Sequence, residues 1–243
     1  MRSALPHQIE SEVTMMEKLL RKMYAEKQAE QPQQYRALQL IKLLALINLL
    51  GFYAIYNYHA LQGILSSWQA TEGFAIWQRF SIWTVVLSFG MTFTQTTRHL
   101  LWGVGLVLAG AVLTAVTHLM ASVNAIYYGA FTFLGVAILV IKPLYWWLKK
   151  APGSCGWLLC AIAYDLTRHL TNGVIIWQGK VIGHVSEVLY NPLLTWFGFP
   201  DAAFHSLEYV PFLPNIFLFL CGMYFFQFLT EHEKGRYYLA KLR

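Results

Sequence analysis

Charged residues are scarce in this sequence of 243 residues: Asp, Glu, Lys and Arg together make up 12%, whereas an ordinary soluble domain carries about 25%. Hydrophobic residues reach 57% and aromatic residues 16%. A soluble chain of this length could not hide so much apolar surface, because much of any folded domain stays in contact with water. The composition therefore excludes an ordinary soluble protein and predicts a polytopic membrane protein.

Cysteine is also rare, since the chain contains only Cys155, Cys160 and Cys221, without a CxxC pair. We interpret them as small buried hydrophobic residues and expect no metal site. The sequence has no Walker motif, dinucleotide fingerprint, HExxH or GxSxG motif. Any chemistry must therefore be sought outside the common nucleotide-binding, zinc-protease and serine-hydrolase patterns.

An early apolar run is missing as well, so no secretory signal peptide is expected. Residues 8–30 instead predict a polar amphipathic helix, which Pro32 in the run QPQQ ends. Its narrow apolar stripe consists of Val13, Met16, Leu20 and Met23. We expect this cytoplasmic helix to lie on the membrane surface or to dock on a partner.

Long apolar runs dominate the rest of the chain. Five of them have the ~20 residues that a helix needs to cross a ~30 Å hydrocarbon core. These segments are residues 38–62, 75–95, 99–119, 124–148 and 209–229. A weaker segment, residues 155–171, is short for a span and contains Asp165.

The distribution of basic residues predicts the topology. With six spans and a cytoplasmic N-terminus, only Arg79, Arg168 and Lys180 of the eighteen Lys and Arg residues fall outside. Five spans would put the basic C-terminus outside, which the positive-inside rule disfavours. We therefore predict an all-α bundle of about six transmembrane helices with both termini in the cytoplasm. The net charge of +6 then reflects orientation in the membrane, and no nucleic-acid partner is expected.

This topology divides the chain into three parts. Residues 1–35 hold the amphipathic helix and a linker, residues 36–230 form the transmembrane bundle, and residues 231–243 form a basic cytoplasmic tail. Within the bundle, residues 172–208 make a long outside connection that is rich in Trp, Phe and Pro. Because long connections are commonly functional, we expect this one to be ordered and packed against the membrane face.

Ionisable residues within spans are the default functional candidates, because burying them in lipid is costly. Asn57 and His59 lie near the outer end of the first span among tyrosines, which fits either a polar cavity or an interfacial belt. Arg79 could reach the outer headgroups, pair with Glu72 or contact a substrate. Asp165, Arg168 and His169 are one helical turn apart, which fits a structural ion pair or a catalytic dyad.

The long connection contains two further candidate pairs. His184 and Glu187 are three residues apart, as are His205 and Glu208. Either pair could supply a general base and its orienting acid, although spacing alone does not choose between them.

Four stretches resemble the small bacterial branch of the heparan-alpha-glucosaminide N-acetyltransferase-like membrane family. IWQRFSIWTVVLSFGMTFTQ is similar to its second span, TRHLLWGVGLVLAGAVLTAVTHL to the basic turn and glycine-rich span that follow, and IYYGAFTFLGVAIL to its FGVLHxxGxxxL span. WFGFPDAAFHSLEYVPFLPNIFLFLCG resembles the signature before the last span and is the most specific match. The resemblance covers roughly residues 36–229. It implies transfer of an acetyl group from cytoplasmic acetyl-CoA to an acceptor, often a sugar amine or hydroxyl.

The first span departs from the family pattern LDxLRGxAxxxMxxxHxxxD, which the resemblance aligns with LQLIKLLALINLLGFYAIYN. Gln39 occupies the position of the family's first acid, Lys42 that of its arginine and Leu43 that of its glycine. Tyr53 replaces the histidine, and Asn57 replaces the second acid.

Two later positions also depart from the pattern. Thr132 replaces the histidine of the fourth span, and Asn215 replaces the tryptophan of the last signature, whereas Glu208 keeps the charge of its acid. Both histidines that the resemblance implies as bases are therefore gone. A phenol titrates near ~10, so Tyr53 is a poor base at neutral pH.

These losses favour a non-catalytic, acyltransferase-like pseudoenzyme that acts as a subunit or scaffold of a complex in the bacterial cytoplasmic (inner) membrane. Membrane lipids and other membrane subunits, contacted through residues 8–30, would be its partners, and no cofactor is expected. The alternative is an active membrane acyltransferase with His59, His205 and Glu208 as candidate catalytic residues. Lys42 and Arg98 would then lie nearer the phosphates of acetyl-CoA. A third alternative is binding or transport of a lipid or solute.

Overall fold

A computed structural model describes residues 35–62, 71–120 and 125–241 of the chain. Seven α-helices and one β-hairpin follow each other in this part of the chain. They are α1 (Arg36–Leu61), α2 (Glu72–Thr92), α3 (His99–Met120), α4 (Ala130–Leu148), α5 (Gly153–Thr167), β1 (Val174–Trp177), β2 (Lys180–His184), α6 (Phe212–Glu231) and α7 (Glu233–Lys241). The amphipathic helix predicted at residues 8–30 lies outside the described residues.

Four of these helices are long and apolar enough to cross a membrane, namely α1, α3, α4 and α6. They coincide with four of the predicted spans, and the large apolar side chains on their outer faces are exposed, as in Leu44 and Leu108. Helix α2 has 21 residues but begins with polar and charged side chains. Helix α5 has only 15 residues, which at ~1.5 Å per residue is shorter than a ~30 Å core. The chain is therefore a helical membrane protein, and six spans remain a prediction.

Helix α6 is the centre of the bundle, since it packs along both α2 and α5. Helix α1 packs on the other side of α2, and α3 pairs with α4. The buried core between them is built from large apolar and aromatic side chains, including Phe52, Leu134, Phe219 and Met223. A polar group inside this core is also satisfied: Trp77 donates to the Asn48 side chain at 3.1 Å, and Asn48 donates to Ser81 at 2.7 Å. These bonds tie α1 to α2.

Glycines allow the closest helix contacts. Gly135 of α4 faces the backbone of Gly103 and Val107 on α3 and so permits a close helix contact. Gly129, in contrast, is the N-cap of α4 and faces Glu208. Small residues thus set the α3–α4 distance, as in other membrane bundles.

The predicted all-α architecture missed one element in the long connection. Strands β1 and β2 pair as an antiparallel hairpin, with Trp177 opposite Lys180. The turn residues Gln178 and Gly179 both have positive φ, 49° and 76°, which matches the tight turn that the right-handed strand twist favours. The β-branched runs on either side of this turn were the signal for a hairpin.

The remainder of the connection is fixed to the helix ends. The Tyr190 hydroxyl donates to the Leu170 carbonyl, the Tyr209 hydroxyl donates to the Thr195 carbonyl, and the Gln78 side chain donates to the Leu207 carbonyl at 3.2 Å. Aromatic rings also stack across it, as where Phe197 lies 5.9 Å from Phe212. These contacts tie the connection to the bundle.

Candidate functional site

Glu208 lies four residues before α6 begins, and its side chain is completely buried, with 0% of its surface exposed. A buried carboxyl group is normally hydrogen-bonded. Within the described residues, however, no group makes a hydrogen bond of acceptable geometry to either of its oxygens. This orphaned carboxyl group is the centre of the candidate site.

Backbone pairing with the segment before α4 explains why Glu208 points inward. The Leu207 amide donates to the Ala125 carbonyl at 3.3 Å, and the Val210 amide donates to the Tyr128 carbonyl at 3.0 Å. Ser206 adds a side-chain contact, because its hydroxyl accepts from the Tyr127 amide at 2.9 Å. These bonds hold residues 206–210 against residues 125–128.

Tyr53 of α1 is a polar side chain that lies close to Glu208. Its hydroxyl and a Glu208 oxygen both face Gly129, where an added Cβ atom would lie 3.8 Å from the first and 3.4 Å from the second. Tyr53 is only 3% exposed, and its hydroxyl has no well-formed hydrogen bond within the described residues. The residue at the family's histidine position and the retained acid thus meet in a closed core.

Burial controls the ionisation of this carboxyl group. It raises the pKa of Glu208 to about 7, since the ionised form loses its hydration. The Tyr53 hydroxyl and the Ala130 amide, which opens α4, lie close enough to favour the ionised form. Neither contact has the geometry of a true hydrogen bond, so the effect of burial is the larger one.

Asn57 and His59 do not join Glu208 but bond to their own helix. The Asn57 amide donates to the Tyr53 carbonyl at 2.8 Å, and His59 Nδ1 lies 2.9 Å from the Ile55 carbonyl. Position 57, an acid in the family pattern, therefore serves the backbone of α1 here.

Thr132 lines a cavity of about 520 Å³ beside α3 and α4. Its side chain faces Gly110 of α3. His118 and Tyr127 line the same cavity, and their Nδ1 and hydroxyl oxygen are 2.9 Å apart. His118 was not among the candidate residues identified from the sequence. The available signal was its position at the end of one helix, with a tyrosine shortly before the next.

His205 is exposed and lines a second cavity, of about 380 Å³, together with Asp201 and Tyr128. It does not bond to Glu208, since no group does so within the described residues. The predicted pair of a base and its orienting acid is therefore not formed by these two residues. Tyr128, which lines the same cavity, has an unusual positive φ of 55°.

The opposite end of the bundle holds the other family positions. Gln39 donates to the Gln95 side chain at 3.4 Å. The Lys42 ammonium lies over the rings of Phe89 and Trp102, at 5.3 and 5.6 Å. These contacts give both residues structural roles.

A small cavity lies beside Lys42 at that end of the bundle. The cavity that Lys42 helps to line measures only about 10 Å³, too small for a phosphate group. Arg98 is exposed in the turn before α3. No group of three metal-ligating side chains occurs in residues 35–62, 71–120 and 125–241.

Taken together, the fold and the site define a helical membrane protein with a buried carboxyl group where its connecting segments meet the bundle. The family model described as "Heparan-alpha-glucosaminide N-acetyltransferase, catalytic" matches residues 35–242. The chain belongs to this family and is a membrane acyltransferase-like protein. Neither the curated proteins nor the solved structures gave a match.

Proposed function

We propose that this chain is a non-catalytic member of its family that serves as a subunit or scaffold in a membrane complex. One observation carries the proposal: Tyr53 and Glu208, at two of the family's reactive positions, are 3% and 0% exposed and lie in a packed core. A catalytic base must come within hydrogen-bond reach of a substrate proton, directly or through a water molecule. A closed core around Glu208 does not offer that access.

The chemistry of the replaced residues supports the same proposal. The side chains of a tyrosine at position 53 and a threonine at position 132 are capable of hydrogen bonding but are weak bases near neutral pH. General-base catalysis contributes typically ~10²–10⁴-fold to a rate. A chain that lacks both histidines loses this rate enhancement unless another group acts as the base.

Labelled acetyl-CoA tests this proposal directly. The full chain, reconstituted in vesicles, is incubated with it, and acetyl transfer to the protein, to glucosamine and to water is measured. We expect no turnover above that of empty vesicles, for the wild-type chain and for Glu208→Gln. Turnover by the wild-type chain would contradict the proposal.

A second candidate function is acyl transfer with Glu208 as the general base. The specific observation in its favour is the unpaired carboxyl group, whose pKa of about 7 is close to the value that suits a base at neutral pH. This candidate predicts a rate that rises with pH through about 7 and is lost in Glu208→Gln. His59 and His205 are weaker alternatives as bases, because neither contacts Glu208.

We also propose the threading of the chain: six spans, with residues 1–35 and 231–243 in the cytoplasm of a bacterial cell and residues 172–208 outside. The distribution of basic residues supports it. In this arrangement, residues 8–30 dock on another membrane subunit. If so, removing residues 1–34 will reduce the size of the complex that the protein forms in mild detergent, and an unchanged size will contradict this role.

A further inference from the structure

A cavity of about 370 Å³ lies between α2, α5 and the segment that leads into α6. This volume is within the ~300–1,000 Å³ range of small-molecule sites. Arg79 lines it from α2, and Arg168 and His169 line it just beyond the end of α5. The cavity therefore combines two guanidinium groups from separate elements.

Two aromatic side chains explain why the arginines meet. Trp83 of α2 and Tyr164 of α5 contact edge to face, with ring centroids 6.0 Å apart. Arg79 precedes Trp83 by four residues, and Arg168 follows Tyr164 by four. Because α2 and α5 run in opposite directions through this contact in the proposed threading, both arginines lie one turn beyond it on the same side.

The charges at the cavity are only partly balanced. Arg168 Nε contacts the Asp165 carboxylate at 3.1 Å, and both side chains remain about two-fifths exposed. Arg79 has no ion pair with any acidic side chain of the described residues, so of its three alternatives the pairing with Glu72 is not formed. One acidic group thus faces two permanent cations, which leaves the cavity positive.

The rest of the lining is both polar and apolar. Asn172 and Thr171 add hydrogen-bonding groups beside Arg168, while Val210, Pro211 and Pro214 form an apolar wall. Guanidinium groups recognise phosphate oxygens through paired hydrogen bonds. An apolar wall next to them suits the glycerol and upper acyl part of a lipid.

We propose that this cavity binds a phosphate ester, with Arg79 and Arg168 as the anion-binding residues and a phospholipid headgroup as the occupant. This inference goes beyond the proposed function and does not depend on whether the chain transfers acyl groups. The Asp165–Arg168 pair, which sequence reasoning interpreted as a structural ion pair or a catalytic dyad, then orients Arg168 toward the anion.

Native mass spectrometry of the full chain from detergent tests the site. The probes are phosphatidylglycerol and phosphatidylcholine with identical acyl chains, and glycerol 3-phosphate as a soluble phosphate ester. We expect phosphatidylglycerol to be retained in preference to phosphatidylcholine and Arg79→Gln to weaken its binding about tenfold, as the loss of a charged hydrogen bond implies. Arg79→Lys should recover only part of the affinity, because it keeps the charge without the planar fork.

The matched control is Lys180→Gln, which removes one exposed positive charge from the hairpin without touching the cavity. Equal retention of the two lipids by the wild-type chain, or equal losses in the Lys180 and Arg79 variants, would overturn the proposal. Arg79-dependent binding of glycerol 3-phosphate at least as tight as that of phosphatidylglycerol would support the anion site and identify a soluble ester as its ligand. The double variant Asp165→Asn/Arg168→Gln removes the second arginine without leaving its carboxylate unpaired, and it should weaken binding in the same way.

Discussion

Glu208 is a carboxyl group that the fold removes completely from water without giving it a hydrogen-bond partner within the described residues. Its pKa is raised from 4.5 to about 7 because burial disfavours the charged form. A shift of this size corresponds to a cost on the order of 3 kcal/mol when the group is ionised. This is a large fraction of the ~5–15 kcal/mol that stabilises an ordinary domain.

The direction of the pH dependence follows from this shift. The folded chain binds the Glu208 proton more tightly than the unfolded chain, so the contribution to stability is fully present below pH 4.5. It is lost as the pH rises toward and through about 7. We expect the thermal midpoint in detergent to fall between pH 5 and pH 8 for the wild-type chain, less steeply for Glu208→Gln, and to be higher for Glu208→Gln at pH 8.

Glu187→Gln is the control for this experiment, because Glu187 is an exposed carboxyl group in the same connection. It should leave the pH dependence of the wild-type chain unchanged. An equally steep fall in Glu208→Gln would show that the histidines or another group, and not Glu208, cause the dependence.

The site could be predicted from the sequence only in part. The signature around Glu208 identified it as the retained acid, and the replacement of two histidines was visible at Tyr53 and Thr132. Their surroundings could not be predicted, because Tyr53 and Glu208 meet across 155 positions of the chain through pairing of the loop with residues 125–128. Local sequence patterns do not contain such long-range contacts.

At the scale of helices, the contact of α2 with α6 depends on two glycines, each of which faces the backbone of the other helix. A Cβ atom at Gly90 would contact the Phe219 carbonyl and lie 3.2 Å from the Met223 amide nitrogen. A Cβ atom at Gly222 would lie 3.2 Å from the Leu87 Cα. Backbone atoms cannot rotate away as a flexible side chain can, so even a methyl group must push the helices apart.

Gly90→Ala should therefore destabilise the bundle by about 1–3 kcal/mol. Unfolding in detergent, followed by tryptophan fluorescence, measures this loss. Gly105→Ala in α3 is the matched control, because no atom lies within 4 Å of its added Cβ. It should be neutral or stabilise the helix by up to about 1 kcal/mol. Equal losses in the two variants would contradict close α2–α6 packing at Gly90.

The elements themselves were predicted with uneven success. The spans predicted at residues 38–62 and 209–229 correspond to α1 (Arg36–Leu61) and α6 (Phe212–Glu231), because continuous apolar runs leave a helix as the way to satisfy the backbone in lipid. The hairpin β1–β2 was missed, since a loop was expected wherever no long apolar run was present. Its positive φ at Gln178 and Gly179 reflects a local turn preference that a search for membrane spans does not examine.

At the scale of the whole molecule, the membrane class follows from composition, but the threading depends on α5. This helix has 15 residues, about 22 Å of helix, and contains the partly exposed Asp165 near its end. It nevertheless packs along α6 over much of its length. If α5 crosses, Lys150 and Lys180 lie on opposite sides of the membrane, and if it does not, they share one side.

Labelling of one exposed cysteine at a time distinguishes these arrangements. We replace the exposed Cys155 by serine, retain the buried Cys160 and Cys221, and introduce Lys150→Cys, Lys180→Cys or Lys234→Cys. A membrane-impermeant maleimide added to intact cells should label only Lys180→Cys, and the other two variants should react only after permeabilisation, because the rule for basic residues places them inside. Labelling of Lys150→Cys and Lys180→Cys from the same side would show that α5 does not cross. The side of the membrane on which the cavity with Arg79 and Arg168 lies would then have to be determined again. Labelling of only Lys150→Cys and Lys234→Cys in intact cells would invert the threading and place that cavity in the cytoplasm.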